Sequence, residues 1–195
     1  ILLFLTIAFV LSFFKNKEVI YLKLIVITSL FLSISGATQL FKQNNQKEIT
    51  FHFIPNGWGI SVIEGRSATF ISTDSLCNEP LIYQFHLKNY YDAKGIKNYK
   101  KQQVADQGNF FINNEYVNIQ WIKTPNGQII ERNCPYLVCS ENTIKDLKSL
   151  SEFNGTIILD GSNKKWVVEK IKAEAEQKKK KLVVLYDTGS KTLTF

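Results

Sequence analysis

The chain has 195 residues, a formal net charge of +7 and 45% hydrophobic residues. That length leaves room for one domain with an ordinary core, plus something extra. Two histidines and three cysteines argue against a His-rich metal centre or a disulfide framework. The basic surplus suits polyanions or membrane headgroups in general and says nothing of sequence recognition.

The mean hydropathy of −0.09 averages two unlike parts. Residues 1–14 carry no charge, and residues 19–41 are apolar apart from Lys23, which sits near one end and can snorkel to the headgroups. Crossing the hydrocarbon core takes about 20 apolar residues. The second stretch has that length, and the first is short only because the chain opens at Ile1. With no initiator Met, this start reads as a fragment of a larger membrane protein. The alternative for 1–14, a signal-peptide core, lacks its basic flank and its small-residue cleavage site. The expectation is therefore two transmembrane helices over 1–41, the first truncated, ahead of a soluble domain over 42–195. Lys15, Lys17 and Lys23 cluster around the turn between the helices, which places that turn in the cytoplasm and the tail outside the inner membrane, in the periplasm. Lys42 and Lys47 on the other flank narrow the margin. The membrane part supplies +2 of the charge and the tail +5.

In the tail, 42–48 is a polar linker. Residues 49–54, 59–64 and 68–72 predict a β-meander turning at Pro55-Asn56-Gly57 and Gly65-Arg66. Residues 79–93 fit a helix with Ile82, Phe85 and Asn89 on one stripe, Leu87 and Tyr91 beside it, and Gly95 as its cap. Residues 97–108 are polar and read as a loop. Strands follow at 109–112, 115–122 and 128–131, the last after a Pro125-Asn126-Gly127 hairpin turn. The apolar run 136–139 suits a strand buried on both faces. Ile144, Leu147 and Leu150 predict a helix over 142–153, and 156–159 is the next buried strand. Residues 163–181 predict a helix with Trp166, Val167, Ile171 and Ala175 on its apolar stripe. Strands at 182–186 and 192–195 close the domain. This order implies at least one βαβ unit, hence an α/β (α+β) domain with a mixed sheet.

The sequence T-I-I-L-D-G-S-N-K-K-W over 156–166 is the most informative stretch. Asp160 ends its strand, while Ser162 and Asn163 sit where a helix begins, which helix capping explains. The functional alternative is a helix N-terminus open to an anion, strengthened by Lys164 and Lys165. Ser140-Glu141-Asn142 ends the preceding strand in the same manner. If the two strands are parallel neighbours, Ser140 and Asn142 open on the same sheet edge as the later turn.

His52 and His86 have no second histidine or carboxylate at ligand spacing, and no hydrolase elbow, P-loop or dinucleotide fingerprint is present. The sequence thus predicts no catalytic residue, metal or small-molecule cofactor. Cys77, Cys134 and Cys139 read as buried thiols, with a Cys134–Cys139 bridge as the alternative. Tyr90, Tyr91, Tyr99 and Trp121 lie among lysines, a pattern that suits single-stranded nucleic acid as well as core packing.

Several stretches carry a family resemblance: P-N-G-W-G-I-S-V-I-E-G-R, F-H-L-K-N-Y-Y-D-A-K-G-I, Y-L-V-C-S-E-N-T-I-K-D-L and, most of all, I-I-L-D-G-S-N-K-K-W-V-V-E-K-I-K-A-E-A-E. Over most of residues 48–195 the chain resembles the C-terminal end of ComEC-type competence proteins in their Bacteroidetes form. The resemblance implies an inner-membrane channel passing single-stranded DNA during natural transformation, and a tail similar to metallo-β-lactamases. Many relatives carry a His-rich metal site there. This chain has Cys139-Ser140-Glu141-Asn142 where a His-His-Gly-Ser run belongs, and lacks a His-x-His-x-Asp-His motif, so no catalytic or metal role carries over. The expectation is a non-catalytic, degenerate domain whose partners are the bilayer, the rest of the channel and single-stranded DNA, the last met at the two polar turns. The alternatives are a structural envelope domain and, against the missing ligands, a metal-dependent nuclease.

Overall fold

The computed structural model describes residues 1–104, 110–113, 118–122 and 134–195. The chain divides into two units, Ile1–Asn45 and Gln46–Phe195.

The first unit pairs α1 (Leu2–Asn16) with α2 (Val19–Asn45), and Lys17 between them takes a left-handed φ of 54°. The second helix is long and apolar enough to cross a membrane, while the first is a shorter apolar helix. Hydroxyls within both helices donate one turn back, Thr6 to Leu2 O, Thr28 to Leu24 O and Ser33 to Ser29 O. Such back-bonding satisfies a polar side chain without water. The predicted linker shrinks to Gln46, because α2 runs on to Asn45 and Lys47 already belongs to a strand.

The second unit opens with the predicted meander, β1 (Lys47–Ile54), β2 (Gly57–Glu64) and β3 (Ser67–Thr73). A helical crossover follows: α3 (Asp74–Asn78), α4 (Pro80–Ile82), a π-helical turn (Tyr83–Leu87) and α5 (Lys88–Lys94). The wider turn shifts the predicted stripe, so Phe85 is 69% exposed while Leu87 and Tyr91 are buried. Gly95 caps α5 at φ 68° as expected. The segment read as a loop contains β4 (Asn98–Val104), which runs parallel to β3. Its residues are polar and almost all exposed, as befits a lysine-bearing edge strand, so no hydrophobic alternation marks it.

β5 (Phe110–Asn113) and β6 (Asn118–Ile122) form an antiparallel pair. The predicted Pro125-Asn126-Gly127 turn and the strand at 128–131 lie outside the described residues. β7 (Tyr136–Cys139) and β8 (Thr156–Leu159) are the two expected buried strands. The helix predicted over 142–153 does not form; turns and bends take its place. Glu141 and Asn142 both adopt positive φ, Leu147 N–H donates to the Glu174 carboxylate, and Lys148 N–H donates to Asp146. Backbone donors that a helix needs are thereby committed to side chains. Ile144, Leu147, Leu150 and Phe153 are still buried, at a spacing of three that tight turns share with helices.

α6 (Lys165–Gln177) starts two residues later and stops four earlier than predicted. Its buried stripe is Val167, Val168, Ile171 and Ala175, while Trp166, assigned to that stripe, is 61% exposed. The last predicted strands become β9 (Leu182–Val184), α7 (Leu185–Thr188) and β10 (Ser190–Thr194). Gly189, at φ 72°, ends α7 and lets the chain reverse out of the second sheet into the first.

Among the described residues the strands make two five-stranded sheets, ordered β10-β1-β2-β3-β4 and β5-β6-β7-β8-β9. Both are mixed, and β6 to β9 run parallel. The sheets face each other across a core that joins Phe51, Trp58 and Ile60 to Trp121, Val138 and Ile158. Trp58 and Trp121 meet at its centre, with ring centroids 4.3 Å apart. The α3–α5 crossover covers the outer face of the first sheet; α6 and the 143–153 turns cover that of the second. All three cysteines are buried and unbridged, which removes the Cys134–Cys139 bridge.

Candidate functional site

β7 and β8 are parallel neighbours in register from Tyr136↔Thr156 to Cys139↔Leu159, so the polar turns after them leave the same edge of the sheet. There they bond to each other. Glu141 N–H donates to Ser162 Oγ at 2.7 Å and Asn142 N–H to Asn163 Oδ1 at 3.0 Å. In return Lys164 N–H donates to Asn142 Oδ1 at 2.7 Å, and Asn163 Nδ2 donates to Cys139 O at 2.7 Å. Asn142 thus takes up, from across the sheet, the backbone N–H of Lys164, the N-cap residue of α6.

Asp160 lies at the centre of this lattice and is 2% exposed. The Ser140 and Ser162 hydroxyls, the Ser162 N–H and Asn163 Nδ2 all donate to its carboxylate. Ser140 in turn accepts Trp121 Nε1–H at 2.8 Å, which ties the site to the tryptophan pair in the core. Burial pushes the Asp160 carboxyl up to about 7, against the pull of its hydrogen-bond donors, and the Glu141 charge adds to the rise. Burial and the Asp160 charge also push the Cys139 thiol well above its ordinary value, which keeps it protonated and inert. Ser140 is fully buried as well, so neither it nor Asp160 can meet a substrate.

Of the residues anticipated from sequence, the structure gathers Ser140, Asn142, Asp160, Ser162 and Asn163 into one lattice. Lys164 and Lys165 are exposed at its rim. Both line a cleft of about 210 Å³ with Phe53, Pro55, Gly161 and Tyr186. Its far wall is the β1–β2 hairpin, latched by Asn56 N–H donating to Gly161 O at 3.0 Å. Gly161 has no room for a side chain: a Cβ there would lie 2.1 Å from Ile54 O. Tyr186 is 59% exposed and meets Phe53 edge-on, with ring centroids 5.6 Å apart. Of the aromatic residues singled out among lysines, Tyr91 and Trp121 are core residues. The exposed aromatics on this side are Trp166 and Tyr186, and no local sequence pattern marks them as solvent-facing.

These residues do not fit a catalytic metal. Among the described residues no group of three or more His, Cys, Asp or Glu is placed to hold an ion. The Asp160 oxygens are engaged by hydroxyl and N–H donors, and His52 lies on the outer face of the other sheet. There its Nε2 meets Ser61 Oγ at 2.8 Å, and burial, with the charge of His86, lowers its pKa to about 4.

A family model described as the ComEC C-terminal domain matches residues 49–195. The chain belongs to the ComEC family. Membership suggests a component of a competence DNA-uptake channel, and the apolar α2 fits the inner-membrane setting of ComEC proteins. No curated protein and no solved structure matches the chain.

Proposed function

We propose that Gln46–Phe195 is the non-catalytic, extracytoplasmic tail of a ComEC channel, a degenerate metallo-β-lactamase-like domain of the Bacteroidetes form that touches incoming single-stranded DNA. In this reading α1 and α2 are a membrane hairpin that joins the tail to the rest of the channel. One observation carries the reading. The polar groups at the β7–β8 edge are spent on one another, whereas Lys164, Lys165 and Tyr186 line the cleft and stay exposed, with the exposed Trp166 next to Lys165 in the chain. Lysines beside aromatic faces suit a single strand, whose phosphates pair with the cations while its bases stack. The α6 N-terminus contributes a favourable dipole end, although Asn142 already occupies the Lys164 N–H.

Oligothymidylate binding by the full chain in detergent, measured across a salt series, tests the proposal. Lys164→Glu with Lys165→Glu is expected to weaken binding and to reduce the log–log salt slope by about 1.4, the value for two single-strand phosphate contacts. An unchanged slope removes these lysines from the DNA path. It would then favour a structural envelope domain, a role that the self-satisfied turns also suit.

A further inference from the structure

β9 and β10 are outer strands of the two facing sheets, and a groove of about 550 Å³ lies between α6 and this side of the sandwich. Ala175, Leu182, Val183 and Val184 give it an apolar floor. The strand register shows what the backbone offers there. Ile157 stands opposite Leu182 and sends its N–H to Lys181 O at 2.9 Å. In a parallel ladder bonding groups alternate between the two sides of a strand, so the N–H and C=O of Leu182 point away from β8. Among the described residues nothing pairs with them. The next outward carbonyl, Val184 O, receives the Thr188 hydroxyl at 3.1 Å.

The charges of the groove divide into committed and uncommitted. Lys172 pairs with Asp187 at 2.9 Å, and Lys180 donates to Ser151 O and Phe153 O at 2.7 and 2.6 Å. Lys179, Lys191 and Glu176 also line the groove and form no ion pair among the described residues. Its four lysines outnumber Glu176 and Asp187 by two charges, so this strand edge is complementary to an extended, acidic polypeptide. A nucleic acid is a poorer occupant: among the described residues the groove lining contains no aromatic side chain for a base to stack on.

We propose that this groove docks an extended acidic segment of a partner protein. The segment adds as a strand against Leu182, lays apolar side chains on Ala175 and Leu182, and places carboxylates on Lys179 and Lys191. The residues differ from those of the DNA contact, so the two readings fail separately.

A fluorescein-labelled peptide alternating three valines with three glutamates, titrated into the full chain in detergent at physiological salt and followed by anisotropy, tests this. Saturable binding is expected, weakened at least about tenfold by Lys179→Glu with Lys191→Glu. N-methylation of alternate peptide amides is expected to cause a similar loss, because it removes the backbone donors and leaves charge in place; that arm needs no altered protein. Oligothymidylate is expected not to displace the peptide. No saturable binding up to about 1 mM, insensitivity to either change, or displacement by oligothymidylate overturns the proposal.

Discussion

Replacing Asp160 by Asn should change stability, relative to the parent, by an amount that grows more favourable as pH rises. The native carboxyl titrates near 7, against an ordinary value of 3.8. Because the folded value is the higher one, the unfolded chain loses this proton first. The contribution of the group is therefore fully present below about pH 4 and is lost as pH rises through about 7. At about 1.4 kcal/mol per pKa unit, the full penalty for ionising the buried group is about 4 kcal/mol above neutrality. Roughly 2 kcal/mol of this is already present at pH 5, so the variant's advantage should grow by about 2–3 kcal/mol between pH 5 and 8.5. The amide faces Ser140 differently from the carboxylate, which adds an offset independent of pH; the slope is thus the informative quantity. Urea unfolding in detergent, followed by tryptophan fluorescence, reads it directly, since Trp58, Trp121 and Trp166 all lie in the second unit. A difference between variant and parent that stays flat across this window would refute the buried, proton-holding carboxylate.

His52 gives the opposite limb. Its native pKa, near 4 against 6.5, means stability present above 6.5 is lost as pH falls toward 4, by about 3 kcal/mol, and His52→Gln should flatten that acid limb in the same urea series. Gly161→Ala should cost about 3 kcal/mol or more, because its methyl carbon meets the Ile54 carbonyl oxygen at 2.1 Å; a lower urea midpoint at unchanged slope checks it. Trp121→Phe removes the donor to Ser140 and part of the contact with Trp58, and should lower stability by about 2 kcal/mol in the same assay.

The sequence carried the strands that alternate or run apolar. The meander, Tyr136–Cys139 and Thr156–Leu159 appear where their patterns place them. It misled where one signal has two meanings. Apolar residues every three positions mark helices and tight turns alike, and what commits 142–153 to turns includes a distant contact, the Glu174 carboxylate on Leu147 N–H. β4 was invisible because an exposed edge strand needs no apolar residues, only a neighbour with free backbone groups. At the site, Asp160, Ser162 and Asn163 were legible as turn residues. That Asn142, twenty-two positions upstream, accepts the Lys164 N–H depends on the pairing of β7 with β8. The exposed Trp166 and Tyr186 depend likewise on where α6 begins and where β9 gives way to α7.

The latch between Asn56 and Gly161 joins a hairpin of one sheet to a turn of the other. The two walls of the small cleft therefore belong to different leaves of the sandwich, and its aperture is set by leaf spacing rather than by loop length. The gauge of that spacing is the tryptophan pair at the centre. Substitutions far inside the protein, at Trp58 or Ile158, should then tune what the cleft admits, whereas changes at the exposed end of α6 alter only what lines its mouth.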